Sequence, residues 1–293
     1  MLERNFHAVT IITLRVTREG MPTAYTSKSG IHWTEQGPAN APGSVVLLHG
    51  LGGDSGFWEA EQKVLGQRYR VLAIDLRGSG QSVGSTGPFT IEDLANDVLS
   101  VLDQAGIASA HVIGFSMGGL AAQALALSAP HRVESLVLAA TFATTNQQAS
   151  LFLKAVGSVY RDGATARQLY ELVLPWLFSE QFLSDPCAAP YMAYPEDQSA
   201  EQSREDWLRL LDAQLAFDGR AELSKIQAPT LVVCGEEDRL APPSDAKQLV
   251  EGIKGSVLKM VPGGHLVNIE SHDEFMAHIE DFLSAVYRKK APK

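Results

Sequence analysis

Gly114-Phe115-Ser116-Met117-Gly118 is the stretch that decides how this chain folds. On its N-terminal side, Ala110-His111-Val112-Ile113 is short, apolar and suited to a buried strand. On its C-terminal side, Gly119-Leu120-Ala121-Ala122-Gln123-Ala124-Leu125-Ala126-Leu127 is rich in Ala and Leu and suited to a buried helix. A serine in a sharp turn between strand and helix is held in a strained backbone conformation with its hydroxyl exposed. Glycines on either side let the strand and the helix approach closely.

Working outward, Val45-Val46-Leu47-Leu48 and Arg70-Val71-Leu72-Ala73-Ile74 are continuous, apolar and β-branched, the pattern of strands buried on both faces. Thr23–Ser27 and Ile31–Glu35 form a strand pair around the turn dipeptide Ser29-Gly30. Ser55 to Gly66 is helix-like. Ile91 to Ala105 places Ile91, Leu94, Val98, Val101 and Leu102 at helical spacing behind a Thr90 cap, with Asp93 near the start. A strand over Val133–Leu138 follows the Ser116 unit. Such alternation predicts a parallel sheet covered by helices on both faces.

The alternation stops at about Thr141, and to about Arg220 the chain reads as helix dense in aromatics. It resumes with strand Thr230–Cys234, a helix near Ser244–Glu251, strand Val257–Val261 and a last helix. Ser271-His272-Asp273-Glu274 has the spacing of a capping box for that helix. The expected organisation is therefore an N-terminal extension over 1–20, a core in two parts (21–140 and 221–293), and a helical lid over 141–220. Because hairpin sequence begins right after Met21, Met21 is an alternative start.

Hydrophobic residues make up 45% of the 293 and charged residues 20%, enough apolar mass for a sizeable core. A net charge of −10 without a basic cluster argues against nucleic acid and anionic membrane surfaces as partners. The apolar patch Ala8–Ile12 is too short and polar for a membrane span or a secretory signal. Cys187 and Cys234 are far apart and give no disulfide framework, so a reducing, cytoplasmic setting fits. His7, His32, His111, His131, His272 and His278 form no metal-ligand spacing.

A serine hydroxyl needs a base within hydrogen-bond reach, and the base needs an orienting carboxylate. Glu236, Glu237 and Asp238 follow the strand Thr230–Cys234, and His265 follows the strand Val257–Val261. Open α/β sheets place their chemistry at such C-terminal strand ends. Five segments carry a resemblance: His49-Gly50-Leu51-Gly52-Gly53, Asp75–Ser82, Gly114–Gly119, Gly235–Asp238 with Pro242, and Gly263-Gly264-His265. In that order, over about residues 22 to 287, they resemble the α/β-hydrolase superfamily. The resemblance implies a mostly parallel eight-stranded sheet with helices on both faces and a helical lid after the sixth strand. It also implies Ser116 as nucleophile, His265 as general base and Asp238 as orienting acid. The segment Ala139–Ala143, where some relatives place the acid, has no carboxylate.

The oxyanion of an acyl-transfer intermediate needs preorganised N–H donors. The elbow logic supplies the backbone N–H of Met117, and the resemblance implies that of Leu51. His49 reads as a residue shaping that loop, and Asp75-x-Arg77-Gly78-x-Gly80 as a turn scaffold. Phe115, Trp176, Phe178 and Leu266 are the expected substrate contacts. Neither metal nor cofactor is expected, and the partner is a small-molecule substrate with a hydrophobic part; homo-oligomerisation stays open. The pattern around Thr90–Val101 and Gly114–Gly119 is similar to the 3-oxoadipate enol-lactonase and small carboxylesterase branch, although Thr141–Gln148 departs from the lactonases. Phe115 and Leu51-Gly52-Gly53 depart from the C–C hydrolases that act on meta-cleavage products. Haloperoxidase-like esterases share Gly-Phe-Ser-Met-Gly-Gly, and hydrolase-fold ligand receptors with slow turnover form a further class. Dehalogenases and epoxide hydrolases are disfavoured, because position 116 is not aspartate.

Overall fold

The computed structural model describes residues 23–194 and 202–290. The expected extension over 1–20 lies outside the described residues. The eight strands are β1 (Thr23–Thr26), β2 (His32–Gln36), β3 (Ser44–Leu48), β4 (Arg70–Ile74), β5 (Ala110–Phe115), β6 (Val133–Ala139), β7 (Thr230–Gly235) and β8 (Val257–Val261). They form one sheet in the order β1-β2-β4-β3-β5-β6-β7-β8. β1 pairs antiparallel with β2, and β2 with β4; every other pairing is parallel. The register pairs Phe115 with Ala139, Ala139 with Val233, and Gly235 with Val261. The C-terminal ends of β5 to β8 therefore lie within two residues of one another in register, and the loops that leave them share one edge.

Two cores follow from strands that are apolar on both faces. β3, β5, β6 and β7 are buried almost throughout. One face packs on α2 (Ile91–Gln104), α3 (Met117–Ser128) and α9 (Pro243–Gly252). The other packs on α1 (Glu59–Leu65), α10 (Val267–Glu270) and α11 (His272–Lys290). α3 is buried nearly all round, as its run of Ala and Leu requires. α2 buries one stripe and starts with a capping box, in which the Thr90 hydroxyl accepts from Asp93 N and the Asp93 carboxylate accepts from Thr90 N.

Two local expectations are corrected. The helix expected over Ser55–Gly66 is a 3₁₀ turn (Ser55–Trp58) followed by α1. The Asp54 side chain accepts from Gly56 N, and Ser55 N donates to the Asp75 carboxylate 2.6 Å away, which fixes the turn before the helix begins. Ser271 does precede α11, but its hydroxyl donates to the Pro262 carbonyl.

Between β6 and β7 run α4 (Gln147–Arg161), α5 (Ala166–Leu177), α6 (Glu180–Leu183), α7 (Ala189–Met192) and α8 (Arg204–Ala216). An antiparallel bridge between Thr144 and Asp218 ties the two ends of this insertion together at the sheet. Gly219 N donates to Ala143 O beside it. Among the described residues no helix is long and apolar enough to cross a membrane.

Candidate active site

β5 ends in the turn that opens α3. Ser116 sits there with φ 49° and ψ −118°, in the positive-φ region that side chains avoid. Such a conformation costs roughly 1–3 kcal/mol and persists only where surrounding bonds hold it. Here Ser116 N donates to Ala139 O at 3.0 Å, and the Thr141 hydroxyl donates to Ser116 O at 2.6 Å. Side chains at Gly114 and Gly118 would run into the Gly118 and Leu48 carbonyls, so only glycine lets the helix come this close to the strands.

The His265 ring meets Ser116 Oγ through Nε2 at 3.0 Å and Asp238 Oδ2 through Nδ1 at 2.8 Å. The second Asp238 oxygen accepts from Leu240 N and Ala241 N, both at 2.9 Å. That pair of backbone donors fixes the carboxylate plane. Asp238 can only accept, so His265 Nδ1 carries the proton and the Nε2 lone pair faces the serine hydroxyl. All three residues are buried, Ser116 at 8% exposure being the most open. The structure thus brings together Ser116 and His265, 149 positions apart in the sequence, with Asp238, which precedes His265 by 27.

The loop after β3 lies against this group. A side chain at Gly50 would come within 3.0 Å of the Phe115 ring and 3.2 Å of Ser116 Cβ, so glycine lets this loop lie close to the serine. His49 is fully buried; its Nε2 accepts from Leu76 N at 3.0 Å and its Nδ1 lies 2.7 Å from Gly50 O. Burial lowers its pKa, so it is a neutral ring whose two nitrogens brace the loop. Asp75 braces the same loop from below. It accepts from Ser55 N and Gln81 N and pairs with His32 Nδ1 at 2.8 Å. Burial pushes the Asp75 carboxyl up, but those hydrogen bonds outweigh it and the net direction is down. Among the described residues no acceptor takes the N–H of Leu51. The N–H of Met117, first residue of α3, is one of the donors that a helix start leaves unpaired.

His265 is held from the insertion side. Leu266 N donates to Leu177 O at 3.0 Å. Glu270 accepts from Gly264 N at 2.9 Å, from Ser179 N at 3.1 Å, and from the Ser179 hydroxyl. Burial raises the Glu270 pKa against these bonds, which act to lower it.

A cavity opens above Ser116 and His265, between the sheet edge and the insertion. Of the four expected substrate contacts, Phe115 and Leu266 line it. Trp176 and Phe178 do not. Trp176 stacks on Phe152 at 4.2 Å, behind the lining, and Phe178 stacks on Phe182 at 4.8 Å within the core. Their places on the wall are taken by Phe142, Phe152, Leu153, Tyr160, Trp207 and Gln214. α8 carried a sign of this. Trp207, Leu210, Leu211 and Gln214 follow i, i+3, i+4, i+7, so an apolar stripe ends on an amide.

Residues 43–272 match the family described as "alpha/beta hydrolase fold". The chain is 31% identical over 275 residues to the candidate carbamate hydrolase RutD of Azorhizobium caulinodans, covering 91% of this chain and 99% of that one. It is 30% identical over 258 residues to 3-oxoadipate enol-lactonase 1 of Acinetobacter baylyi, covering 85% and 91%. Among solved structures, the enol-lactonase from Burkholderia xenovorans superposes with a TM-score of 0.81 at 30% identity, covering 89% of this chain and 100% of that one.

Proposed function

The chain belongs to the α/β-hydrolase family, and on that footing we propose that this hydrolase cleaves a carboxylic ester or lactone through an acyl-enzyme on Ser116. The observation that carries the reading is the unbroken chain from Asp238 through His265 to Ser116, at 2.8 and 3.0 Å, on the floor of a mostly apolar cavity.

In the first step His265 Nε2 takes the Ser116 proton while Oγ bonds to the carbonyl carbon. The carbonyl electrons move to oxygen, which is met by the N–H groups of Leu51 and Met117. The Met117 donor lies at the positive end of α3. When the intermediate collapses, the bond to the leaving oxygen breaks and His265 returns its proton to that oxygen. Water then gives a proton to His265 and attacks the acyl carbon, and Ser116 leaves with the proton restored. The sum is ester plus water giving acid plus alcohol; with a lactone both products stay on one molecule. Asp238 remains ionised, holding the ring and stabilising the imidazolium. Each oxyanion donor contributes roughly 3 kcal/mol to the transition state in comparable sites.

The test is turnover of short p-nitrophenyl esters and simple lactones, with intact-mass and peptide mapping after a rapid acid quench. Sustained turnover, with acyl mass on the peptide that contains Ser116, is expected. A burst limited to one equivalent, or acyl mass on another residue, would count against the reading.

A further inference from the structure

The cavity wall is apolar except at a few points, and those points differ in how they are occupied. Gln202 lines the cavity; its Oε1 also lacks a partner among the described residues, but its amide nitrogen is committed to Gly78 O at 2.7 Å and Ser79 Oγ at 2.9 Å, which fixes the side chain. Gln214, on the buried face of α8, is only 3% exposed. Among the described residues its Oε1 is buried without a partner and its amide nitrogen makes no hydrogen bond. A primary amide buried without partners costs about 1–3 kcal/mol. Here it faces the same cavity as Ser116. A leucine would fill that place on α8 and continue the apolar stripe.

Charge is also absent where a charged substrate would need it. No Lys or Arg is among the described residues that line the cavity; apart from His265 the lining holds one charged side chain, Asp54. A carboxylate on the acyl part would lose its water without gaining a cation, a transfer that is strongly unfavourable. An uncharged keto, hydroxyl or amide group would instead give the Gln214 amide the partner it lacks.

Resting on the hydrolase reading above, we infer that Gln214 sets specificity: the substrate's acyl part is uncharged and mainly apolar and carries one hydrogen-bonding group that meets the Gln214 amide. A site built to hydrogen-bond a substrate group rejects the analogue that lacks it, because its own polar atoms are then left unpaired.

The experiment compares p-nitrophenyl esters of matched chain length on the wild-type protein and on Gln214→Leu. The acyl groups are hexanoyl, 4-oxohexanoyl, 5-oxohexanoyl and 4-carboxybutanoyl, the last replacing the terminal methyl ketone by a carboxylate. Within each protein the readout is the ratio of kcat/KM values, which cancels differences in active fraction. For the wild type, one oxo ester should exceed the hexanoyl ester about tenfold or more, and the carboxylate ester should be slowest. In Gln214→Leu the oxo preference should fall to about one. Gln214→Met, unbranched like glutamine, provides the same comparison should the leucine variant not fold. A wild-type ratio near one, an oxo preference that survives both substitutions, or a carboxylate ester that is turned over best would overturn the assignment. Failure of the wild type to turn over any of the four esters would instead strike the hydrolase reading, and this inference with it.

Discussion

Two groupings of serine, histidine and carboxylate lie at opposite ends of β5. Just past its C-terminal end, Ser116, His265 and Asp238 are linked at 3.0 and 2.8 Å. Near its N-terminal end, His111 Nδ1 lies 2.8 Å from Ser135 Oγ and His111 Nε2 lies 3.8 Å from Glu134. The residue types are nearly the same, and the arrangements are not. Glu134 is beyond hydrogen-bond distance of the ring and accepts from the Ser109 hydroxyl at 2.6 Å. Ser135 is 0% exposed in the middle of extended β6, whereas Ser116 is raised into the cavity by its positive φ. Neither Ser135 nor His111 lines the cavity beside Ser116. On the proposed reading, a catalytic triad is more than three side chains. It needs a serine lifted off the strand, a ring oriented by a close carboxylate, and N–H donors beside open space.

Paired substitutions break the comparison most sharply. Ser116→Ala should lower kcat by at least about 10⁴-fold with the fold intact. Ser135→Ala should leave ester turnover unchanged and lower stability by roughly 1 kcal/mol, the usual worth of a buried hydrogen bond. Stopped-flow kinetics and thermal melts on both variants read the two effects separately. Equal losses of activity would mean that the two edges are not functionally distinct. Next in size, Asp238→Asn should lower kcat by about 10⁴-fold, because an amide can donate to Nδ1 and so favours the wrong tautomer. Glu134→Gln, at the other edge, should leave kcat unchanged. Restoration of the Asp238→Asn variant at high pH would show that the carboxylate acts on the ring's proton rather than on packing alone.

What could be read from sequence follows the same division. The sheet edge was legible because its signals are local: a strand, a glycine turn and a helix for Ser116, and strand ends for Asp238 and His265. Backbone demands made those turns recognisable, since Gly114 and Gly118 admit no side chain. The cavity wall was not legible from aromatic content. The three long helices of the insertion, α4, α5 and α8, each bury apolar residues, and the sequence does not say whether those face the cavity or the core. Trp176 and Phe178 went to stacking partners, whereas Tyr160 and Trp207, equally aromatic, went to the wall. A polar residue ending an apolar stripe, as Gln214 does, was the better signal. The split of Ser55–Leu65 into two helices depended on Asp75, twenty residues further along the chain, and periodicity carries no trace of such a contact.

The two edges also differ in what holds the histidine. His111 lies within β5 and is fixed by strand pairing on both sides. His265 lies on a loop and is fixed by Glu270, which ties Gly264 to Ser179 of the insertion. Glu270→Ala should therefore lower kcat about 10- to 100-fold, the scale expected when a catalytic group is displaced by about 1 Å. Glu270→Gln keeps a carbonyl acceptor for the two backbone N–H groups and should recover most of the loss. If both variants match the wild type in kcat, the link between insertion and histidine loop is structural ornament only.

The smallest effect concerns a third histidine, His272, at the start of α11 behind that loop. Its Nδ1 lies 3.3 Å from Glu61 of α1 and 3.2 Å from Asn268 O. The hydrogen bond that His272 donates to Glu61 raises the His272 pKa, against burial, which lowers it. A histidine whose folded pKa is raised binds its proton more tightly in the folded state than in the unfolded one. Its contribution to stability is complete below the unfolded value of 6.5 and is lost as pH rises through the folded value. The pair is partly open to solvent, with the His272 side chain 32% exposed, so its worth is about 1 kcal/mol or less. For a chain of this size that corresponds to a shift of roughly 2 °C in Tm. Calorimetric melts of the wild type and His272→Gln from below pH 6.5 upward should show a wild-type advantage that shrinks as pH rises. A difference that is flat with pH, or that grows with it, would show that His272 holds α11 to α1 without its charge, much as His111 holds Ser135 within the sheet.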